Sequence, residues 1–302
     1  KHSLGGLTTG DDNTAVGYQT MLNATTGNDN VAIGKLAIGS GVLTGANNIA
    51  IGEGSGFDLT SGAFNILLGL RSGANITTAN KNIFIGQDVG LAVTVTNSAE
   101  SDGTVGIGHD ALKALTSGAY NVAVGFSALN ATTTAGHCTA VGYNSGLFAT
   151  TAYNSTFIGF KAGQGITSAK LTGNDNTAIG KDAGLLLQSS AHSNTLVGST
   201  AGDAITSGFN NTCIGFGTSI VDGGAQNRTA IGAGAVSGAN NRVVIGNTSV
   251  TEIYLSQDAG ATVYANVIVV GDGTADAPSV QLGSANDGFF HHADGVKVLV
   301  NN

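Results

Sequence analysis

The chain has 302 residues, of which 48 are Gly, one is Pro and none is Trp, and its 11 basic and 19 acidic residues leave a net charge of −8. Charged residues make up only 10% and apolar ones 41%, against about 25% charged in an average globular chain. Disorder by charge repulsion is therefore excluded, and so is collagen, because Pro is nearly absent and Gly does not recur every third residue. An acidic chain with no Lys/Arg cluster points away from nucleic acid, and without an apolar run of about 18 residues no membrane insertion by a helix is expected.

Residues 1–9 form a lead-in that opens Lys1-His2-Ser3. No charged segment leads into an apolar one there, so the start reads as that of a processed or partial chain. From residue 10 to residue 250 one short pattern recurs: Asn, then Thr, Val or Ile, then a variable small or apolar residue, then Val, Ile or Leu, then Gly. It reads Asn13-Thr14-Ala15-Val16-Gly17, then Asn30-Val31-Ala32-Ile33-Gly34, then Asn48-Ile49-Ala50-Ile51-Gly52. With the final Gly as an index, copies fall at Gly17, Gly34, Gly52, Gly69, Gly86, Gly108, Gly125, Gly142, Gly159, Gly180, Gly198, Gly215, Gly232 and Gly246. A length that would suggest about two domains yields to a repeat of this kind.

The residues one and three places before each index Gly are β-branched, Leu or Thr in all fourteen copies. Side chains alternate faces along a strand, so these two positions share one side and stack into columns, with the residue between them on the other side. Leu67, Phe84, Phe157, Leu196 and Val244 are the bulkiest members of that middle column. Most copies are 17 or 18 residues apart, enough for a coil of two short strands and two turns and too few for helices. Turn residues are expected at Gly10, Gly27, Gly45, Gly62, Gly118, Gly173 and Gly208, each preceded by Thr or Ser. The fold class is all-β: a β-solenoid, or parallel β-roll, of about 14 coils, on the order of 60 Å long at about 4.8 Å per coil. A strand apolar on both faces is buried on both. Hence either the second face packs against further copies of the chain, as a homo-oligomer about the long axis, or the middle column is the roll interior and the Thr-rich column points outward.

The residue after each index Gly varies most, and three successive copies carry Phe126, Tyr143 and Phe160 there. Coil stacking puts these rings about 5 Å apart as a ladder. Residues 114–160 contain no Asp, Glu, Lys or Arg and hold seven of the 17 aromatics. Two readings follow: a neutral, aromatic, hydroxyl- and amide-rich patch suited to sugar rings, or a ladder packed at a subunit interface. Two connections are longer, Gly86 to Gly108 and Gly159 to Gly180, and the first holds a polar candidate loop with Asn97, Glu100 and Asp102. Insertions in solenoids gather on one face and often bind partners; drift in a tolerant loop explains them equally.

Asp11-Asp12, Asn28-Asp29 and Asn174-Asp175 precede three copies, but dedicated calcium-loop motifs are missing, so Asx turns explain them better. Cys138 and Cys213 lie four coils apart, about 19 Å, far beyond disulfide reach within the chain. The six His are scattered, and no nucleophile, carboxylate pair or metal-ligand cluster stands out. The reading is therefore of a protein that is not an enzyme and carries no cofactor. Residues 251–302 follow the array as a C-terminal segment, and its His291-His292 pair reads as exposed tail histidines rather than a metal site.

The units Asn13-Thr14-Ala15-Val16-Gly17-Tyr18-Gln19 and Asn30-Val31-Ala32-Ile33-Gly34-Lys35-Leu36-Ala37 resemble the head repeats of trimeric autotransporter adhesins. Their longer period is more similar still to the version found in bacteriophage tail fibres. Ala277 to Gly283, Asp287 to Phe290 and Asp294 to Val298 resemble the β-structured segment that often precedes the C-terminal chaperone domain of such fibres. The resemblance implies a left-handed, homotrimeric roll in a virion tail fibre or on a bacterial cell surface, contacting other virion tail proteins and attaching to a host-surface glycan or protein. A bacterial surface adhesin or extracellular filament subunit is the alternative. An ice-binding solenoid is a remoter one, since Thr14, Thr139, Thr156, Thr177, Thr195, Thr212 and Thr229 recur in one column but Val and Ile replace Thr in the other coils.

Overall fold

The computed structural model of the chain describes residues 3–93, 102–251, 253, 280–281, 288–292 and 295–299. The chain divides into two compact units, 1–250 and 251–302. In the second, Val280–Gln281, Gly288–His292 and Gly295–Leu299 form a three-stranded antiparallel sheet.

The first unit is a parallel β-solenoid. Its fourteen three-residue strands, from Thr14–Val16 to Val243–Ile245, each end at the residue before an index glycine. They form one parallel sheet in sequence order, always in the register that places equivalent repeat positions side by side. Among the described residues there is no helix. Residues of the lead-in already follow this winding: the Leu4 and Thr8 amides donate to the Thr20 and Thr25 carbonyls of the first coil.

The expected second strand of each coil is absent from most of the array. Among the described residues only Ser219–Ile220 and Val236–Ser237 form such a pair, with isolated bridges through Ala149, Leu171, Ser189, His192, Phe209 and Gln226. The reason is left-handed backbone. Two and four places after the index glycine the chain adopts φ near +55°, as at Gln19 and Met21, Ser127 and Leu129, or Lys161 and Gly163. A third such residue lies five places before the index glycine in all fourteen coils, from Asp12 to Asn241. Eight of these fourteen are Asp or Asn, the side chains that best tolerate this conformation. Asp12, Asp29 and Asp175 are three of these, at the bend into the strand.

Inside the roll, twelve of the fourteen middle strand residues are buried, all but the two end members Ala15 and Val244. Their volumes are matched across the core. Where the strand supplies Leu67, Phe84, Phe157 or Leu196, the position four after the index is Gly in that coil and in the preceding one. Where it supplies Gly106 or Ala123, Leu112 or Leu129 fills the space. One large side chain per level keeps so thin a core close-packed.

Beside this core runs a polar ladder. Nine coils carry Asn four places before the index glycine, and those from Asn30 onward are buried. Asn48 shows the pattern. Its Oδ1 accepts from the backbone N–H and from Nδ2 of Asn65, both at 3.0 Å, while its Nδ2 donates to Asn30 Oδ1 at 3.0 Å and to the Gly62 carbonyl at 2.9 Å. Asn30, Asn65 and Asn194 repeat all four bonds between coils, and paired groups are the condition under which a buried polar chain stabilises. Thr104, Cys138, Ser155 and Arg228 stand in for Asn in this column, and the backbone N–H of Thr104, Cys138 and Arg228 is still accepted by the preceding Asn.

The outward column pair is the reverse of the core. None of the 28 residues one or three places before an index glycine is buried. The column next to the glycine is Val, Ile or Leu in every coil, with Ile51, Val141, Ile158 and Ile214 each 37–40% exposed in the single chain. The middle column is therefore the roll interior, and the sheet's other face is an unbroken aliphatic stripe fourteen coils long.

Candidate functional site

The residue after each index glycine emerges at a corner of the coil. There the predicted rings meet: Phe126 and Tyr143 stack with centroids 5.4 Å apart and planes at 14°, and Tyr143 and Phe160 at 5.4 Å and 12°. The ladder has a fourth member missed from sequence, His109, stacked on Phe126 at 5.3 Å and 7°. It occupies the same column and could have been found by treating imidazole as an aromatic. Lys161 closes the other end, its ammonium 5.3 Å from the Phe160 centroid, a cation–π contact.

These four rings are near half exposed but offer edges, not faces. A sugar stacked between two of them needs about 3.5–4 Å on either side, more than the 5.4 Å between successive rungs allows. The stacked rings brace successive coils against one another. Replacing Phe126 by Ala removes two stacks at once and is expected to cost about 1–2 kcal/mol, read as a lower urea midpoint.

Of the polar candidate loop, Asn97 and Glu100 lie outside the described residues. Asp102 sits six places before Gly108, and its Oδ1 accepts the Asn80 amide at 2.7 Å while its carbonyl accepts the Tyr120 amide at 3.1 Å. The same column gives Asn28 accepting from Asp11, Asn80 from Ala63, Asn174 from Tyr153 and Asn240 from Gln226, all through the side-chain oxygen. Asp102 thus serves coil stacking like its column mates. The second long connection leaves the roll as a small loop closed by an Ile166–Ala169 bridge and returns at buried Leu171.

Two further ring pairs lie on the opposite corner: Tyr120 on His137 at 5.3 Å, and His192 on Phe209 at 4.8 Å. Both cysteines are free and buried, in different columns. Burial pushes the Cys138 thiol up to about 11 and the Cys213 thiol up to about 12, so neither forms a thiolate near neutral pH. Cys138 donates to the Ala152 carbonyl at 2.8 Å, the bond an Asn would make. The buried Asp88 carboxylate accepts from Arg71 at 2.8 Å across one coil, and Lys113 lies 4.0 Å away. Among the described residues no group of three His, Cys, Asp or Glu could hold a metal, and no helix is long and apolar enough to cross a membrane. His291 and His292 face Val296 and Gly295 in the register of the C-terminal hairpin.

No family model, curated protein or solved structure matches the chain. The candidate sites accordingly rest on the geometry of their own residues.

Proposed function

We propose that the chain is a structural, receptor-binding fibre protein of a phage tail, which assembles as an elongated homotrimer and attaches a virion to a host-surface glycan or protein. The observation that carries this reading is the aliphatic stripe. A parallel sheet is ordinarily covered on both faces, and monomeric proteins seldom expose contiguous apolar patches of more than a few hundred Å². Here one face of fourteen registered strands is aliphatic and open along a length on the order of 60 Å. A closed assembly about the long axis covers that stripe on every copy with the same residues, and the repeat resemblance supplies the order, three, and the left hand of the roll.

The test uses the face itself. Val141→Asp together with Ile158→Asp places two carboxylates per chain in the shared stripe without touching the roll interior. Loss of the oligomer with a retained β circular dichroism spectrum is the expected result. An unchanged assembly would remove the stripe as its interface, and with it the argument for a fibre.

A further inference from the structure

We propose that the groove lined by Tyr120, His137 and Tyr153 binds a neutral pyranose sugar; this gives the receptor-binding reading above its ligand class and its place on the chain. The groove lies at two of the coil-to-coil steps that lack a bond made at five others. In the column six places before the index glycine, an Asx side chain of one coil caps the backbone N–H of the coil before it, as for Asp11, Ala63, Asn80, Tyr153 and Gln226. Coils 7 and 8 carry Ala119 and Gly136 there, and neither Gly136 nor the following Tyr153 supplies an acceptor. Among the described residues, the N–H groups of Ala119 and Gly136 consequently have no partner.

The same two small residues open a depression of about 390 Å³, floored by Gly118, Ala119 and Gly136 and bounded by Tyr120, His137 and Tyr153. Tyr120 is 58% and Tyr153 40% exposed. Tyr120 and His137 hold φ of 61° and 60°, at the position where eight of fourteen coils use Asp or Asn. The result is two N–H groups without a partner, one coil apart at about 4.8 Å, on residues that line a groove with exposed aromatic surface.

That combination fits a pyranose, whose ring and hydroxyl oxygens accept hydrogen bonds and whose C–H face packs on an aromatic side chain. The charge pattern selects a neutral one. No Asp, Glu, Lys or Arg occurs between residues 114 and 160, and the charges bonded to the groove from the adjoining coils are the acidic Asp102 and Asp175, so a sialylated or uronate sugar finds no cation there.

The decisive variant is Gly136→Asn. It places there the residue that the column has at Asn28, Asn80, Asn174 and Asn240, supplies an acceptor for the Ala119 N–H and fills the floor, at a glycine whose φ lies outside the left-handed region and whose built Cβ would lie 3.0 Å from the Ala119 carbonyl oxygen. Tyrosine fluorescence, unobscured because the chain has no Trp, reads titrations of the full chain with glucose-, galactose- and N-acetylglucosamine-terminated oligosaccharides and with sialylated and uronate counterparts. The expected result is binding of a neutral member, weakened tenfold or more by Gly136→Asn and by Tyr153→Ala, with unchanged assembly mass and no effect of Phe126→Ala. Binding of no neutral member, of charged members only, or of all members equally well by Gly136→Asn would overturn the groove. Loss of assembly in Gly136→Asn would do so too, by making the corner an interface. Assembly mass is read separately, so a fibre that binds sugar elsewhere is distinguished from one that does not form.

Discussion

Replacing Phe157 by Ala is expected to destabilise the roll by about 3–5 kcal/mol, the range for emptying a buried aromatic site. The ring is fully buried at the middle of Thr156–Ile158. A Cβ built on Gly146 would lie 2.7 Å from it and one on Gly163 only 2.1 Å, so the ring occupies space that two coils have vacated. The compensation is specific. Coil 7 solves the same level with Ala123 on the strand and Leu129 four places after the index glycine, in left-handed backbone at φ 49°. Phe157→Ala with Gly163→Leu copies that solution. Chemical denaturation should show the double variant recovering part of the loss, with a coupling of about 1–3 kcal/mol between the two sites. Strict additivity would mean that the alternation of large and small residues is not a packing rule.

Gly142→Ala is expected to be as damaging from the backbone side, at roughly 2–6 kcal/mol, combining a glycine-only conformation with overpacking. Gly142 holds φ +134°, and a Cβ there would lie 2.5 Å from the Gly159 carbonyl oxygen of the next coil. Backbone cannot move aside as a side chain can, so coils 8 and 9 must separate or the strand must end early. Gly54→Asn is the contrast. Its φ of +64° suits Asn, and the nearest atom to a Cβ is 3.7 Å away on a flexible Arg71 side chain. The two variants should differ in urea midpoint by several-fold more than any experimental scatter, and similar midpoints would contradict the role given to the index glycines.

Column by column, the sequence disclosed the strand because one residue type recurs there: Val, Ile or Leu beside every index glycine. The second side of the coil was illegible for the opposite reason. Gln19, Leu36, Arg71, Asp88, Ser127 and Lys161 share left-handed backbone but no chemistry, so nothing in their identities forecast a bend instead of a strand. The Asn ladder had a signal, nine recurrences, but its meaning lies in bonds between residues about 17 apart, which a local reading does not supply. Glycines such as Gly27 and Gly45 read in the sequence as turn residues. What requires them is the next coil's carbonyl oxygen, 2.4 and 2.0 Å from a built Cβ. The aromatic ladder was placed by periodicity alone, whereas the Tyr153 groove depends on what two neighbouring coils lack.

The claim on which the functional reading turns is that the open aliphatic stripe is covered by two further copies of the chain. Sedimentation equilibrium across a hundredfold dilution measures this directly. The account predicts a species of about three times the 29.7 kDa chain mass that persists on dilution. A folded species at 29.7 kDa throughout the range would contradict it.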